Sequence, residues 1–167
     1  MRRIMIPILT LMIGGPLAAA DTPDEASAPT MAERISVHAP WARLMPPGQP
    51  NTAAFMLLEN ASEEDIVLVA ARSPASEVVE LHTHIQDEGM MRMREVARID
   101  VPAGGQTELR PGGLHVMLIG LVEPLAPAVA VAITLVFADG STLELHAPTR
   151  HPRDMSGRGQ HPRQPPD

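Results

Sequence analysis

The sequence contains no cysteine in its 167 residues. That absence excludes a disulfide framework, thiol catalysis and thiolate metal sites, so any bound metal must be held by other side chains. Lysine is missing as well. All 13 basic residues are arginine, which removes Schiff-base chemistry from consideration. No long stretch of 3.6-residue apolar periodicity is present after the first twenty residues or so, and there is no internal repeat. No apolar run reaches the roughly 20 residues needed to span a bilayer.

The chain begins "MRRIMIPILTLMIGGPLAAAD": two arginines, an apolar run from Ile4 to Ile13, a Gly-Gly-Pro break, and Ala18, Ala19 and Ala20 before Asp21. This is the layout of a secretory signal over residues 1–20, cleaved after Ala20, and it implies an exported protein with no stable membrane insertion. Arg2 and Arg3 suggest twin-arginine export, but the residues around them do not otherwise fit that signal. The formal charge of −7 becomes −9 once those two arginines are removed, and an acidic body argues against a nucleic-acid partner.

Residues 21–34, "DTPDEASAPTMAER", are acidic and lack apolar periodicity, so they are expected to form a flexible leader. From Ile35 onward, short apolar stretches alternate with turn signals such as "PPGQPN", "NASEED", "DEG", "PAGG", "PGG" and "ADGS". Closely spaced turns of this kind mark an all-β sandwich or barrel over residues 35–148. The clearest element is the last hairpin. Val129, Val131, Ile133, Leu135 and Phe137 fall on one face, Asp139-Gly140 suits a tight turn, and Leu143 and Leu145 resume the apolar face. Shorter runs cover residues 53–59, 65–71, 77–85, 90–97 and 114–121. The remainder, residues 149–167, "TRHPRDMSGRGQHPRQPPD", has four prolines and almost no large apolar residue, and reads as a disordered tail.

Histidines and methionines stand out within the β region. Residues two apart on a strand share a face, so His115 projects with Met117, Met91 with Met93, and His82 with His84. Three segments separated in sequence thus offer imidazole or thioether groups near turns. Thioether sulfur is soft and needs no deprotonation, and imidazole is neutral above about pH 6.5; together they suit Cu(I) better than oxygen-seeking Mg, Ca or Mn. Zinc prefers thiolate, carboxylate or more imidazole, and a blue-copper centre requires cysteine. Taken singly, Met56, Met90 and Met91 read as gap-fillers in a core, and Trp41 as a core aromatic.

The four residues His82, Met93, His115 and Met117 stand in the register H-x10-M-x21-H-x-M. In this register, and in the flanking "HAPWARLMPPGQPNTAAFMLLEN", "VVELHTHIQDEGMMRMREV" and "LRPGGLHVMLIGL", the chain resembles the periplasmic copper chaperones called PCuAC. The resemblance covers residues 38–148. It implies a cupredoxin-like Greek-key β-sandwich that binds Cu(I) through His82, Met93, His115 and Met117. It also implies delivery of copper in the periplasm to cytochrome c oxidase copper centres, through an oxidase subunit or an assembly factor. The expected state is a monomer without enzymatic activity.

His84 and Met91 are reserve ligands, and Arg43 is a candidate for orienting a partner. His146, His151, Met155 and His161 form a candidate accessory Cu(II) set in or beside the tail, since some PCuAC proteins carry His- and Met-containing extensions. The alternative function is copper storage or buffering without a dedicated recipient. A hydrolase reading has Ser141 and His146 to draw on but no nucleophile motif around them. An adhesion module leaves the four-residue register unexplained.

Overall fold

The computed structural model describes residues 28–87 and 89–152. The signal segment, residues 21–27 of the leader, Met155 and His161 lie outside the described residues. Ten strands follow a single helical turn: α1 (Met31–Arg34), β1 (Ile35–Arg43), β2 (Thr52–Asn60), β3 (Ile66–Arg72), β4 (Ser76–Asp87), β5 (Met90–Glu95), β6 (Ile99–Val101), β7 (Gln106–Leu109), β8 (His115–Leu121), β9 (Ala130–Phe137) and β10 (Thr142–Arg150). Among the described residues no helix is long and apolar enough to cross a membrane.

The strands form one hydrogen-bonded path, β5-β4-β8-β2-β1-β10-β9-β3-β6, with β7 paired to β2. The path folds over between β1 and β10, which meet in parallel through only Ala42 with Thr149 and Arg43 with Arg150. It thereby makes two layers, one from β5, β4, β8, β2, β1 and β7, the other from β10, β9, β3 and β6. The chain passes from layer to layer at β2–β3, β3–β4, β5–β6, β6–β7 and β8–β9, and its first and last strands adjoin. The all-β expectation holds.

Strand alternation builds the core between the layers. Leu58, Leu81, Val116 and Leu118 of the first layer meet Leu68, Ile99, Ile133, Leu135 and Phe137 of the second. Most of these side chains are entirely withdrawn from water, each contributing about 1.5–3 kcal/mol. Truncating Leu58 to alanine would cost about 2–5 kcal/mol. The β9–β10 hairpin forms as its pattern predicts, with Val131, Ile133, Leu135 and Phe137 inward and Gly140 at φ +82° in the turn. Val129 instead precedes the strand and is exposed.

Two boundaries differ from the sequence expectation. The end of the leader is ordered by a capping box: the Thr30 amide donates to the Glu33 carboxylate at 2.7 Å. The Met31 and Ala32 amides then donate to Asp139 and Ser141 in the β9–β10 turn, and Arg34 pairs with Glu64. The last strand, in turn, continues through Thr149 and Arg150. The Thr149 amide donates to the Val129 carbonyl, its hydroxyl to the Ala126 carbonyl, and the Leu44 amide to the Arg150 carbonyl. These long-range bonds carry no local sequence signal. The strands β6 and β7 are too short to show a period, and Pro40 interrupts that of β1.

Candidate metal centre

The donor residues lie on the outer face of the first layer, opposite the main core. Three features place them there. The first is the β4–β8 pairing, which sets Glu80 opposite Met117, Leu81 opposite Val116, and His82 directly opposite His115. Because Leu81 and Val116 face the core, their neighbours Glu80, His82, His115 and Met117 must face outward. The second is the β4–β5 hairpin, in which Met93 is opposite His84 and Glu95 opposite His82. Met91, Met93 and Glu95 therefore continue the same face to the edge of the sheet.

The third feature is a bulge in β1. Its register shifts between His38 and Trp41, and Ala39 adopts φ +47° beside Pro40, which has no amide hydrogen to lose. The extra residue reverses the alternation: Val37 packs inward, but Trp41 is turned outward against Phe55 while Ala42 enters the core. The rings of Trp41 and Phe55 stack with centroids 4.6 Å apart, and Met117 packs against this pair and Ala53. Trp41 is thus a core aromatic of a small second cluster that supports one of the motif residues.

Imidazoles crowd the centre of the face. The His115 ring centroid lies 5.7 Å from that of His82, 5.2 Å from that of His84 and 6.1 Å from Phe55. His84, Met93 and His115 line a cleft of about 210 Å³ together with Arg43, Ala53, Phe55, Pro111 and Gly112. His115 is 1% exposed at its base, and Met93 is 45% exposed at its rim. Arg43 lies over the Phe55 ring at 5.3 Å. Larger clefts elsewhere, such as that of about 560 Å³ among Pro74, Val122, Leu125 and Val131, are lined chiefly by prolines and aliphatic residues.

Each central histidine has one nitrogen engaged and one without a partner. His115 Nδ1 donates to the Gly113 carbonyl at 2.9 Å, a geometry fixed by the Pro111-Gly112-Gly113 turn, in which Gly112 takes φ +80°. His82 Nε2 lies 2.7 Å from a Glu80 carboxylate oxygen. The remaining nitrogens, His115 Nε2 and His82 Nδ1, are buried and have no hydrogen-bond partner among the described residues. Burial pushes the His115 pKa below the ordinary imidazole value; the Gly113 carbonyl opposes this shift, and His84, His82 and Arg43 reinforce it. At neutral pH its free nitrogen therefore presents a lone pair. Buried polar atoms left unpaired cost about 1–3 kcal/mol each, so two of them on neighbouring rings make this face a candidate ligand site.

The four motif residues thus share one face, with His84 and Met91 beside them. His84 Nδ1 lies 3.4 Å from the same Gly113 carbonyl. Met56 fills the core, but Met90 and Met91 are 56% and 60% exposed among the described residues, so neither is a gap-filler there, because β5 is an edge strand. Nor are the donors confined to strand ends: His115 opens β8, whereas His82 sits within the long β4. His146 is exposed on β10, on the outer face of the other layer, and does not join the set. His151 lies past β10, in a cleft with Arg43, Leu44 and Pro152. Ser141 is engaged in the β9–β10 turn, its hydroxyl donating to Asp139 at 2.6 Å. Among the described residues no group of three His, Asp or Glu side chains is placed to hold a metal ion by itself. Glu80 was not singled out by sequence; its only signal was its place two residues before His82.

Comparison with known proteins agrees with this fold. The family model described as "Putative lipoprotein LpqE-like" matches residues 35–149. A protein of Leifsonia xyli subsp. xyli described as "Putative lipoprotein Lxx21020" is 32% identical over 152 residues, covering 90% of this chain and 89% of its own. The solution structure of CuI-DR1885 from Deinococcus radiodurans is 37% identical over 70% of this chain and 79% of its own, with a TM-score of 0.57. The copper-bound PCuAC domain from PmoF2, at 23% identity, shares the fold with a TM-score of 0.61 over 71% of this chain and 94% of its own. Both layers of the sandwich and every donor on its outer face fall inside the matched stretch, and the chain belongs to the LpqE-like family, a PCuAC-type family.

Proposed function

We propose that the protein is an exported copper chaperone that carries one Cu(I) ion on the outer face of its first layer, held by His82, Met93, His115 and Met117. The observation that carries this reading is the pair of buried, partnerless imidazole nitrogens, His82 Nδ1 and His115 Nε2, on rings 5.7 Å apart. Two neutral imidazoles and two thioethers add no charge, so the loaded site retains the +1 of the ion, suited to a soft monovalent cation. The copper named in the DR1885 structure supports the choice of metal.

A gradient of exposure supports a delivery role. His115 anchors the ion at depth, while Met93 stands at the rim on an edge strand. A recipient's donor can displace Met93 first and the deeper ligands afterwards, so the ion need never be free. The recipient proposed is a copper centre of cytochrome c oxidase or an assembly factor serving it, met in the periplasm by a monomeric carrier. Although its relatives are described as lipoproteins, this chain has no cysteine to carry a lipid through sulfur.

Titration of Cu(I) against a competing chelator tests the site: His115→Ala and Met117→Ala should each weaken binding, and unchanged affinity in both would refute the ligand set. Mixing loaded protein with an apo oxidase copper domain tests delivery, and copper that stays put would favour a storage role. An accessory Cu(II) role for His146, His151, Met155 and His161 is tested by truncation after Pro152, which removes Met155 and His161, combined with His146→Ala and His151→Ala. Unchanged Cu(II) stoichiometry would dispose of it, and an earlier cut is avoided because it would remove the bonds made by Thr149 and Arg150.

A further inference from the structure

One carboxylate is placed against the donor set. The Glu80 Oε2 atom approaches His82 Nε2 to 2.7 Å, with the Glu80 side chain 30% and the His82 side chain 13% exposed. An ionised carboxylate only accepts hydrogen bonds, so the hydrogen between them belongs to His82 Nε2. In a neutral ring the lone pair then lies on Nδ1, the buried atom without a partner. A ring protonated at both nitrogens would place an N–H at that same position with nothing to accept it.

His115 is held in the opposite sense. Its Nδ1 donates to the Gly113 carbonyl, which leaves the lone pair on Nε2. Two histidines directly opposite one another on neighbouring strands thus have opposite tautomers. One is set by a main-chain carbonyl, the other by a side chain. A carboxylate behind a metal-binding imidazole both fixes its orientation and raises its basicity.

We propose that Glu80 is a positioning residue for copper: it holds His82 as the Nε2–H tautomer and thereby assigns Nδ1 as the atom that binds Cu(I), while His115 binds through Nε2. This assignment rests on the copper site proposed above. It deepens that reading by naming the ligand atoms and the residue that selects one of them.

Nitrogen-15 NMR of the full chain reads the assignment directly, because Cu(I) is diamagnetic. In the metal-free protein at about pH 8, above the ordinary imidazole value, His82 should show an exchange-protected Nε2–H. On adding Cu(I), the shifts of His82 Nδ1 and His115 Nε2 should move. Glu80→Leu should lose the protected His82 proton and bind Cu(I) about 10–100-fold more weakly. Glu80→Ala should do the same, which separates the effect from any packing fault of the leucine. The His115 Nδ1–H signal, held by Gly113, should persist in both variants and reports an intact fold. A copper response at His82 Nε2, or wild-type affinity in both variants, would overturn the role of Glu80 alone. A wild-type protein whose ring nitrogens do not respond to Cu(I) would overturn the copper reading itself and the assignment with it.

Discussion

Replacing His115 by leucine should leave the metal-free protein as stable as the wild type, or more so, while abolishing its response to copper. His115 is buried, and its Nε2 has no partner. Leaving that atom unpaired costs about 1–3 kcal/mol, which the substitution recovers. Against this stand the hydrogen bond from Nδ1 to the Gly113 carbonyl, worth about 1 kcal/mol, and the ring contacts with Phe55, His82 and His84, worth about 0.5 kcal/mol or more together. The difference lies between a small loss and a gain of about 1.5 kcal/mol. Cu(I) at a hundred times its dissociation constant would stabilise the wild type by about 2.7 kcal/mol and the variant by almost nothing. Urea unfolding with and without Cu(I) should therefore reverse the order of the two proteins. A metal-free variant weaker by more than about 2 kcal/mol, a typical cost for a damaged core, would show that the nitrogen is satisfied and the reasoning wrong. Equal stabilisation of both proteins by copper would refute the assignment of His115 as a ligand.

Other perturbations separate stability from metal binding. Met117→Leu preserves the packing on Trp41 and Phe55, so thermal stability should change by less than about 1.5 kcal/mol, while chelator competition shows a loss of tenfold or more in Cu(I) affinity. Asn60→Ala removes a buried side chain that donates to the Glu64, Val101 and Pro102 carbonyls and accepts from Ser62; denaturant unfolding should show a loss of about 2–4 kcal/mol, with the copper affinity of the folded protein unchanged. Because burial depresses the folded pKa of His115, the unfolded ring takes up a proton first on acidification, so the free energy of unfolding should fall as pH drops through about 6.5 towards the folded value and level off below it. His115→Leu should remove that component from the measured pH profile. Protons also compete with copper for imidazole, so Cu(I) affinity should weaken below about pH 6, and an unchanged affinity there would speak against histidine ligands.

Much of this was legible in the sequence because alternation along a strand is a local property. The pairs His82 with His84, Met91 with Met93, and His115 with Met117 share a face wherever their strands lie, and the β9–β10 hairpin follows from period-two apolar residues around Asp139-Gly140. The spacing of the four motif residues carried the family resemblance, and the softness of thioether and imidazole carried the choice of metal. What alternation leaves open is which face a pair takes and which strand lies beside it.

Those choices were made by contacts between residues far apart in the chain. The β4–β8 register brings His82 against His115, and the bulge at Ala39-Pro40 reverses the alternation of β1, so that Trp41 and Arg43 support the donor face. The Gly113 carbonyl and the Glu80 carboxylate then decide which nitrogen of each ring is left free. The sequence by itself determined the candidate donors and their chemical softness. Only the tertiary structure decided their orientation and burial, because a lone pair acquires a direction only when packing fixes the ring that bears it.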